Sequence, residues 1–137
     1  MSDCIFCKIA NGKAPCHKVY EDDKFIAFLD IHPVHLGHTL VIPKKHSETV
    51  IDTDDSTLKE LMILVKKISK AIYSGLGLKG FSIGINQFEV GGQIVPHLHI
   101  HIMPRYKNDG FRPWPSREYE SEDKKKEIQK KITRFLK

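Results

Sequence analysis

The sequence predicts one α+β domain with a meander-like antiparallel sheet. Three observations lead there: several short strand-like segments precede residue 52, one long amphipathic helix follows, and two further strand segments come before a tail of different character. A length of 137 residues fits a single domain with a hydrophobic core, and 40% hydrophobic with 28% charged residues is an ordinary composition for a soluble globular chain. The longest apolar runs, such as Phe25 to Leu29 and Leu61 to Val65, are far shorter than the ~20 residues a membrane-crossing helix needs.

Cys4-Ile5-Phe6-Cys7 opens the chain, and Lys8 to Gly12 reads as a short helical turn stopped by Asn11-Gly12. Val19 and Tyr20 begin a strand, Glu21-Asp22-Asp23 turns, and Phe25 to Leu29 is a buried strand ending at Asp30. Pro33 and Gly37 mark a loop, after which His38 to Pro43 is another strand, followed by Lys44-Lys45-His46. The clearest helix runs from Asp52 to Gly75. Asp52, Thr53, Asp54 and Asp55 suit its N-terminus, and Gly75 is a natural stop. Leu58, Leu61, Met62, Val65, Ile68 and Ile72 form its apolar stripe. Phe81 to Ile85 is an additional strand leading into Asn86, and a glycine-containing loop from Phe88 to Val95 follows. Tyr106 to Tyr119, with Gly110, Pro113 and Pro115 around Phe111 and Trp114, reads as an irregular arm. Glu122 to Lys137 reads as a terminal helix capped by Ser121, with Ile128, Ile132, Phe135 and Leu136 at helical spacing. No repeat, linker or second domain is visible: residues 1–105 form the domain proper, and 106–137 are an arm and basic helix belonging to it.

The chemistry concentrates in Gly91 to Arg105. There His97, His99 and His101 alternate strictly with Leu98, Ile100 and Ile102. Period two is the strand period, so the imidazoles line one face about 7 Å apart and the aliphatics pack into a core on the other. Pro96 suits the start of this strand and Pro104 its end. Gly91-Gly92 lets the backbone approach a ligand closely. Imidazole titrates near neutrality and is the commonest metal ligand, so such a row suits either catalysis or a metal-binding tract.

Charge divides the chain. Residues 1–103 hold eleven basic and eleven acidic residues, whereas 104–137 hold eleven basic and six acidic, which accounts for the net +5. A solvated basic helix explains the tail better than a nucleic-acid-binding patch does, so nucleic acid is not the expected partner. The odd count of three cysteines argues against a disulfide framework and for metal binding or free thiols. With neither a basic leader nor an apolar signal stretch at Met1 to Cys4, the expected location is the cytoplasm.

His97-Leu98-His99-Ile100-His101-Ile102 resembles the signature of the histidine triad (HIT) family of nucleotide hydrolases and transferases. The resemblance runs from Cys4 to about Arg105. It implies the histidine triad fold: an antiparallel five-stranded sheet with a long helix and a C-terminal helix, usually a homodimer. It also implies that His99 attacks the α-phosphorus of a purine nucleotide, AMP-containing substrate to give a nucleotidyl-histidine, with His101 and His38 on phosphate oxygens. Gly92, Gln93 and Asn86 would then lie near the phosphate, and Asp30 at the ribose hydroxyls. A neutral imidazole, with an ordinary pKa near ~6.5, is a competent nucleophile at pH 7–8. His17, His32 and His35 fall in loops or at the surface.

Cys4-x-x-Cys7 with His46 and His97 is a four-ligand set for structural Zn2+, an arrangement that resembles zinc-containing microbial members of the family. Two alternatives stay open: a redox pair at Cys4-x-x-Cys7, although no βαβ pattern surrounds it, and a catalytic zinc held by the triad itself. Cys16 lies outside the set as a free thiol.

The leaving group is open at this stage. Ile94 stands where phosphoramidases of the family carry serine, and Met103-Pro104-Arg105 replaces their Gly-Gly, which with Gln93 resembles the dinucleoside polyphosphate hydrolases. Cys4-x-x-Cys7 and Val41-Ile42-Pro43-Lys44-Lys45-His46 resemble the phosphoramidase branch instead. The alternative to an enzyme is a zinc-stabilised, non-catalytic nucleotide-binding or interaction module.

Overall fold

The computed structural model describes residues 3–136; Met1, Ser2 and Lys137 lie outside, and with them the ends of the expected domain and terminal helix. Along the chain come α1 (Ile5–Ala10), β1 (Lys18–Glu21), β2 (Phe25–Leu29), β3 (Thr39–Pro43), α2 (Asp55–Gly75), β4 (Gly80–Gly84), a 3-10 turn (Glu89–Gly91), β5 (Ile100–Arg105) and α3 (Glu122–Thr133). The α+β class and the five-stranded antiparallel sheet agree with the sequence reading. The simple meander covers only β1, β2 and β3. The chain then crosses through α2 to the far edge, and β5 returns between β3 and β4, giving the order β1-β2-β3-β5-β4. β5 therefore has hydrogen-bonded neighbours on both sides, with Thr39, Leu40 and Val41 opposite Ile102, His101 and Ile100, and β4 on its other edge.

Each face of the sheet has its own cover. Leu61, Leu64, Val65, Ile68 and Ile72 of α2 pack on Phe25, Ala27, Val41, Leu98, Ile100 and Ile102. The expected stripe is rotated slightly: Met62 is half exposed, and Leu64 takes its place in the core. On the opposite face, Phe6 and Ala10 of α1 cover Ile26, Phe28, Leu40 and Ile42. Paired residues on neighbouring strands share a face, so the pairing of His101 with Leu40 puts this histidine on the α1 side. The alternation read from the sequence thus separates a dry core from the histidine face.

Local signals explain the helix ends. Cys4 caps α1, its thiol accepting the Cys7 amide at 3.4 Å, and Asn11 with left-handed Gly12 (φ 73°) ends the helix. Ser121 caps α3 by accepting the Lys124 amide. No residue of α3 is buried, and its apolar Ile132, like Phe135 and Leu136 just beyond it, is exposed. No helix among the described residues is long and apolar enough to cross a membrane.

Leu61→Ala should cost about 2–5 kcal/mol in urea unfolding, through lost transfer energy and a cavity. Ile63→Ala, at a 70% exposed position of the same helix, should cost no more than about 0.5 kcal/mol. Equal losses would mean that the α2 face is misassigned.

Candidate active site and metal centre

The β5 ladder begins at Ile100, later than the start at Pro96 that the sequence suggests, and runs through Pro104 to Arg105. The reason lies in the backbone. The His97 amide donates to the Val95 carbonyl at 2.8 Å and the Leu98 amide to the Ser47 carbonyl at 2.7 Å, so these residues are bonded to loops rather than to a strand. The side chains still alternate: Leu98 enters the core, while the rings of His99 and His101 stand 4.9 Å apart.

Hydrogen-bond partners fix the tautomer of each imidazole, since a carbonyl only accepts and an amide N–H only donates. His97 donates from Nε2 to the Pro43 carbonyl at 2.8 Å, which leaves the Nδ1 lone pair free. His99 donates from Nδ1 to the His97 carbonyl at 2.7 Å, so its Nε2 carries the lone pair. His38 accepts the Val34 amide at Nδ1 (3.0 Å), so its Nε2 holds the proton and donates to His101 Nδ1 at 3.0 Å. His101 therefore presents Nε2–H. Val34, His38 and His101 form a directed chain of donors ending on one face of the site.

All four imidazoles are held neutral. Burial pushes His97 down to about 4, opposed by its bond to Pro43. Burial does the same to His101, also to about 4, with His99 and His38 adding to the effect. His99 and His38 are lowered by burial as well, with Asp30 pulling the other way. Neutral imidazole is the form that serves as nucleophile or metal ligand.

Cys4, Cys7, His46 and His97, separated by up to 93 positions in sequence, converge on one point. Cys4 Sγ lies 3.4 Å from His97 Nδ1, Cys7 Sγ 3.3 Å from His46 Nδ1 and 3.6 Å from His97 Nδ1, and the two Nδ1 atoms are 3.2 Å apart. A tetrahedral Zn2+ with bonds of about 2.3 Å to sulfur and 2.0–2.1 Å to nitrogen has N···N and N···S edges of roughly 3.3–3.6 Å. The donor spacing, the donor types and the free lone pair of His97 all fit that ion. Asp30, His38 and His101 also come together, within 4.8 Å. That set suits a metal poorly, because the Nε2 of His38 keeps its proton while Val34 occupies Nδ1.

Asp30 directly follows β2, beside the site. One carboxylate oxygen accepts the His32 amide at 2.9 Å and the other lies 3.5 Å from His38 Nε2. Asn86 is exposed and donates weakly to the Gly92 carbonyl at 3.4 Å. Gln93 differs from the sequence expectation. Its buried carboxamide accepts the Phe88 amide and donates to the Glu48 carbonyl, at 2.8 and 2.7 Å. The backbone amides of Gly91, Gly92 and Gln93 all bond back to Phe88 or Glu89. This loop is knotted onto itself by a side chain that the sequence suggested for phosphate. Of the glycine pair only Gly92 needs its freedom, with φ at 94°. Ile94 points to solvent.

Sequence reasoning missed two contributors. Phe6, between the two cysteines, lies edge-on to both His97 and His99, with centroids at 5.9 and 5.0 Å. Its place in Cys-x-Phe-Cys was the available signal. Asp109, in an unremarked Asn-Asp-Gly turn, grips Arg105 and lies 3.2 Å from His35, which makes that loop histidine part of a packed knot.

A family model described as the HIT domain matches residues 11–108. The adenosine 5'-monophosphoramidase hnt1 of Schizosaccharomyces pombe is 40% identical over 82% of this chain and 84% of its own length. The adenylylsulfatase HINT3 of Arabidopsis thaliana is 42% identical over 79% of this chain and 55% of its own. Among solved structures, a HIT family member from Bacillus subtilis superposes with a TM-score of 0.90 at 41% identity, covering 98% of both chains. A zinc-bound histidine triad family protein from Mycobacterium smegmatis does so at 0.76 and 35% identity, covering 97% of this chain and 95% of that one. With a family model spanning most of its length and relatives at this level of identity, the chain belongs to the histidine triad (HIT) family.

Proposed function

We propose that the protein is a nucleotide hydrolase that cleaves adenosine-type nucleotides at the α-phosphate through a covalent intermediate on His99. The observation that carries this reading is the tautomer of His99: Nδ1–H is anchored on the His97 carbonyl, and Nε2 holds the lone pair. In the first step that lone pair attacks the α-phosphorus, an N–P bond forms, and the leaving group departs with the bonding electrons. In the second, water attacks the same phosphorus, the N–P bond breaks, a proton is released, and the nucleoside monophosphate leaves. Charge stabilisation dominates such transfers. His101 Nε2–H, polarised through His38 by the Val34 amide, is the donor aimed at the phosphate oxygens. Asn86 lies on the same side, and Asp30 is placed to accept from ribose hydroxyls. Gly92 and Gln93 contribute by shaping the loop. Two relatives named for acting on different adenylyl compounds, a phosphoramidate and a sulfate, support a common adenylyl half with a variable leaving group.

Zinc in this reading is structural. Cys4, Cys7, His46 and His97 would hold it with no open position, and what it supplies is a fixed α1 and a fixed His97, not a reacting group. The exposed face around Met62, Tyr73 and Ile83 is where we place a second copy, in an isologous homodimer.

Four outcomes test this reading. His99→Ala should lose at least about 10⁴-fold in turnover and show no acid-labile nucleotidyl label after rapid quench. His101→Ala should be slower by about 10²–10³-fold yet still label. Metal analysis should find one Zn2+ per chain. Its removal by chelation should lower Tm by several degrees or more, since about 1 kcal/mol corresponds to ~3–5 °C in a domain of this size. Light scattering should give twice the 15.7 kDa chain mass. Near-normal turnover by His99→Ala would defeat the mechanism, and metal-free protein of undiminished stability would defeat the zinc assignment.

A further inference from the structure

Between β2 and β3 the chain makes a loop that wraps the ring of His38. The Asp30 amide donates to the His38 carbonyl at 2.9 Å, and the His38 amide to the His35 carbonyl at 3.0 Å. Inside this closed turn the Val34 amide donates to His38 Nδ1 at 3.0 Å. The outer part of the loop is bare, with Ile31 and Leu36 both turned to solvent. Among the described residues, His35 is the one member of the 31–36 segment whose side chain hydrogen-bonds outside the loop. The place of the Val34 amide therefore depends on what holds His35.

A single carboxylate does so. His35 Nε2 lies 3.2 Å from Asp109, and the ring stands edge-on to Tyr106 and Phe111, with centroids at 5.1 and 5.4 Å. An ionised carboxylate only accepts, so the imidazole donates. Asp109 is itself nearly buried and held from the other side. It accepts from Arg105 Nε at 2.7 Å and Nη2 at 3.0 Å, and from the amides of Tyr106 and Phe111 at 3.1 Å each. The Arg105 guanidinium keeps this carboxyl far below the usual range, so it stays an acceptor throughout the working pH range. Arg105 ends β5, the strand that carries His101. One carboxylate thus ties the loop around His38 to the strand of His101.

We propose that Asp109 is a positioning residue for the His38–His101 donor chain, acting through His35 to hold the Val34 amide on His38 Nδ1. The tautomers make the consequence definite. With Val34 in place, His38 accepts at Nδ1 and donates from Nε2 to His101 Nδ1, and His101 presents Nε2–H. With Val34 withdrawn, the one proton of neutral His38 is free to exchange onto Nδ1. Nε2 of His38 then accepts, His101 donates from Nδ1, and its Nε2 turns a lone pair outward where it held a proton. Loss of one remote hydrogen bond thus reverses the chain and removes its terminal donor. His99 stands outside this relay, because its ring is anchored on the His97 carbonyl. The inference rests on the reading of His101 as the donor to phosphate.

The test reads tautomers directly, from the ring-nitrogen NMR shifts of ¹⁵N-histidine-labelled, full-length protein. The wild type should show protonated Nε2 on His38 and His101 and protonated Nδ1 on His99. His35→Ala leaves the Arg105–Asp109 pair intact. In it, His38 and His101 should shift toward protonated Nδ1 while His99 keeps its pattern. Asp109→Ala should do the same. His35→Gln, whose carboxamide can still donate to Asp109, should restore the wild-type spectrum. Turnover of adenosine 5′-phosphoramidate gives a second readout. In His35→Ala kcat should fall about 10-fold, inside the ~10²–10³ that losing one such donor outright costs, with KM nearly unchanged. His35→Gln should recover most of it. Wild-type tautomers in His35→Ala overturn the proposal. So does an equal change at His99, which would mean general loosening. The two His35 variants decide the matter even where Asp109→Ala does not fold. If the wild-type protein turns over neither adenosine 5′-phosphoramidate nor diadenosine tetraphosphate, the hydrolase reading fails, and the spectra still decide the role of Asp109.

Discussion

The hydrogen bond from His97 Nε2 to the Pro43 carbonyl is the interaction on which the rest of the site depends. It consumes the only proton of a neutral, fully buried imidazole and turns the lone pair of Nδ1 toward Cys4, Cys7 and His46. It also pins the 97–99 segment to the end of β3, where the His97 carbonyl receives the His99 ring. One residue therefore joins the four-donor set, the sheet and the candidate nucleophile. Loss of this bond would free His97 to turn, leaving the donor set one ligand short and the His99 ring without its anchor.

Burial supplies the second constraint. His38, His97, His99 and His101 gather on one face of the sheet, and desolvation keeps each below its ordinary pKa. A cluster of imidazolium ions would attract phosphate strongly but would have no lone pair to offer. A cluster of neutral rings, oriented by one amide N–H and two carbonyls, presents both a lone pair and an N–H donor.

Helix α1 links the two centres. Phe6 packs against His97, His99 and Phe28 while Cys4 and Cys7, on either side of it, reach the donor set. A six-residue helix has little stability of its own. Its cap is one of the candidate metal ligands, so binding a metal there and placing Phe6 beside His99 would be a single event.

The sequence alone determined the α+β class, the His97/His99/His101 face, the extent of α2 within a few residues and the four candidate zinc donors. Most of these follow from a period or a local spacing: alternation for the strand, a 3.6-residue stripe for the helix, Cys-x-x-Cys for the first two donors, whereas the pairing of those cysteines with His46 and His97 rests on the resemblance to the family. What only the tertiary structure decided depends on partners distant in the chain. The insertion of β5 between β3 and β4 is set by strand pairing, and no local pattern encodes it. The tautomers of His38, His97 and His99 depend on Val34, Pro43 and a backbone carbonyl, which no spacing rule addresses. Gln93 looked like a phosphate ligand beside Gly-Gly, but its carboxamide is bonded to Phe88 and Glu48 because burial requires a partner for each polar group. The arm read as irregular from its prolines and glycine, and so it is. Its placement came from the Asp109 carboxylate drawing five donors around itself, an arrangement that exists only once β4, β5 and the His35 loop are side by side.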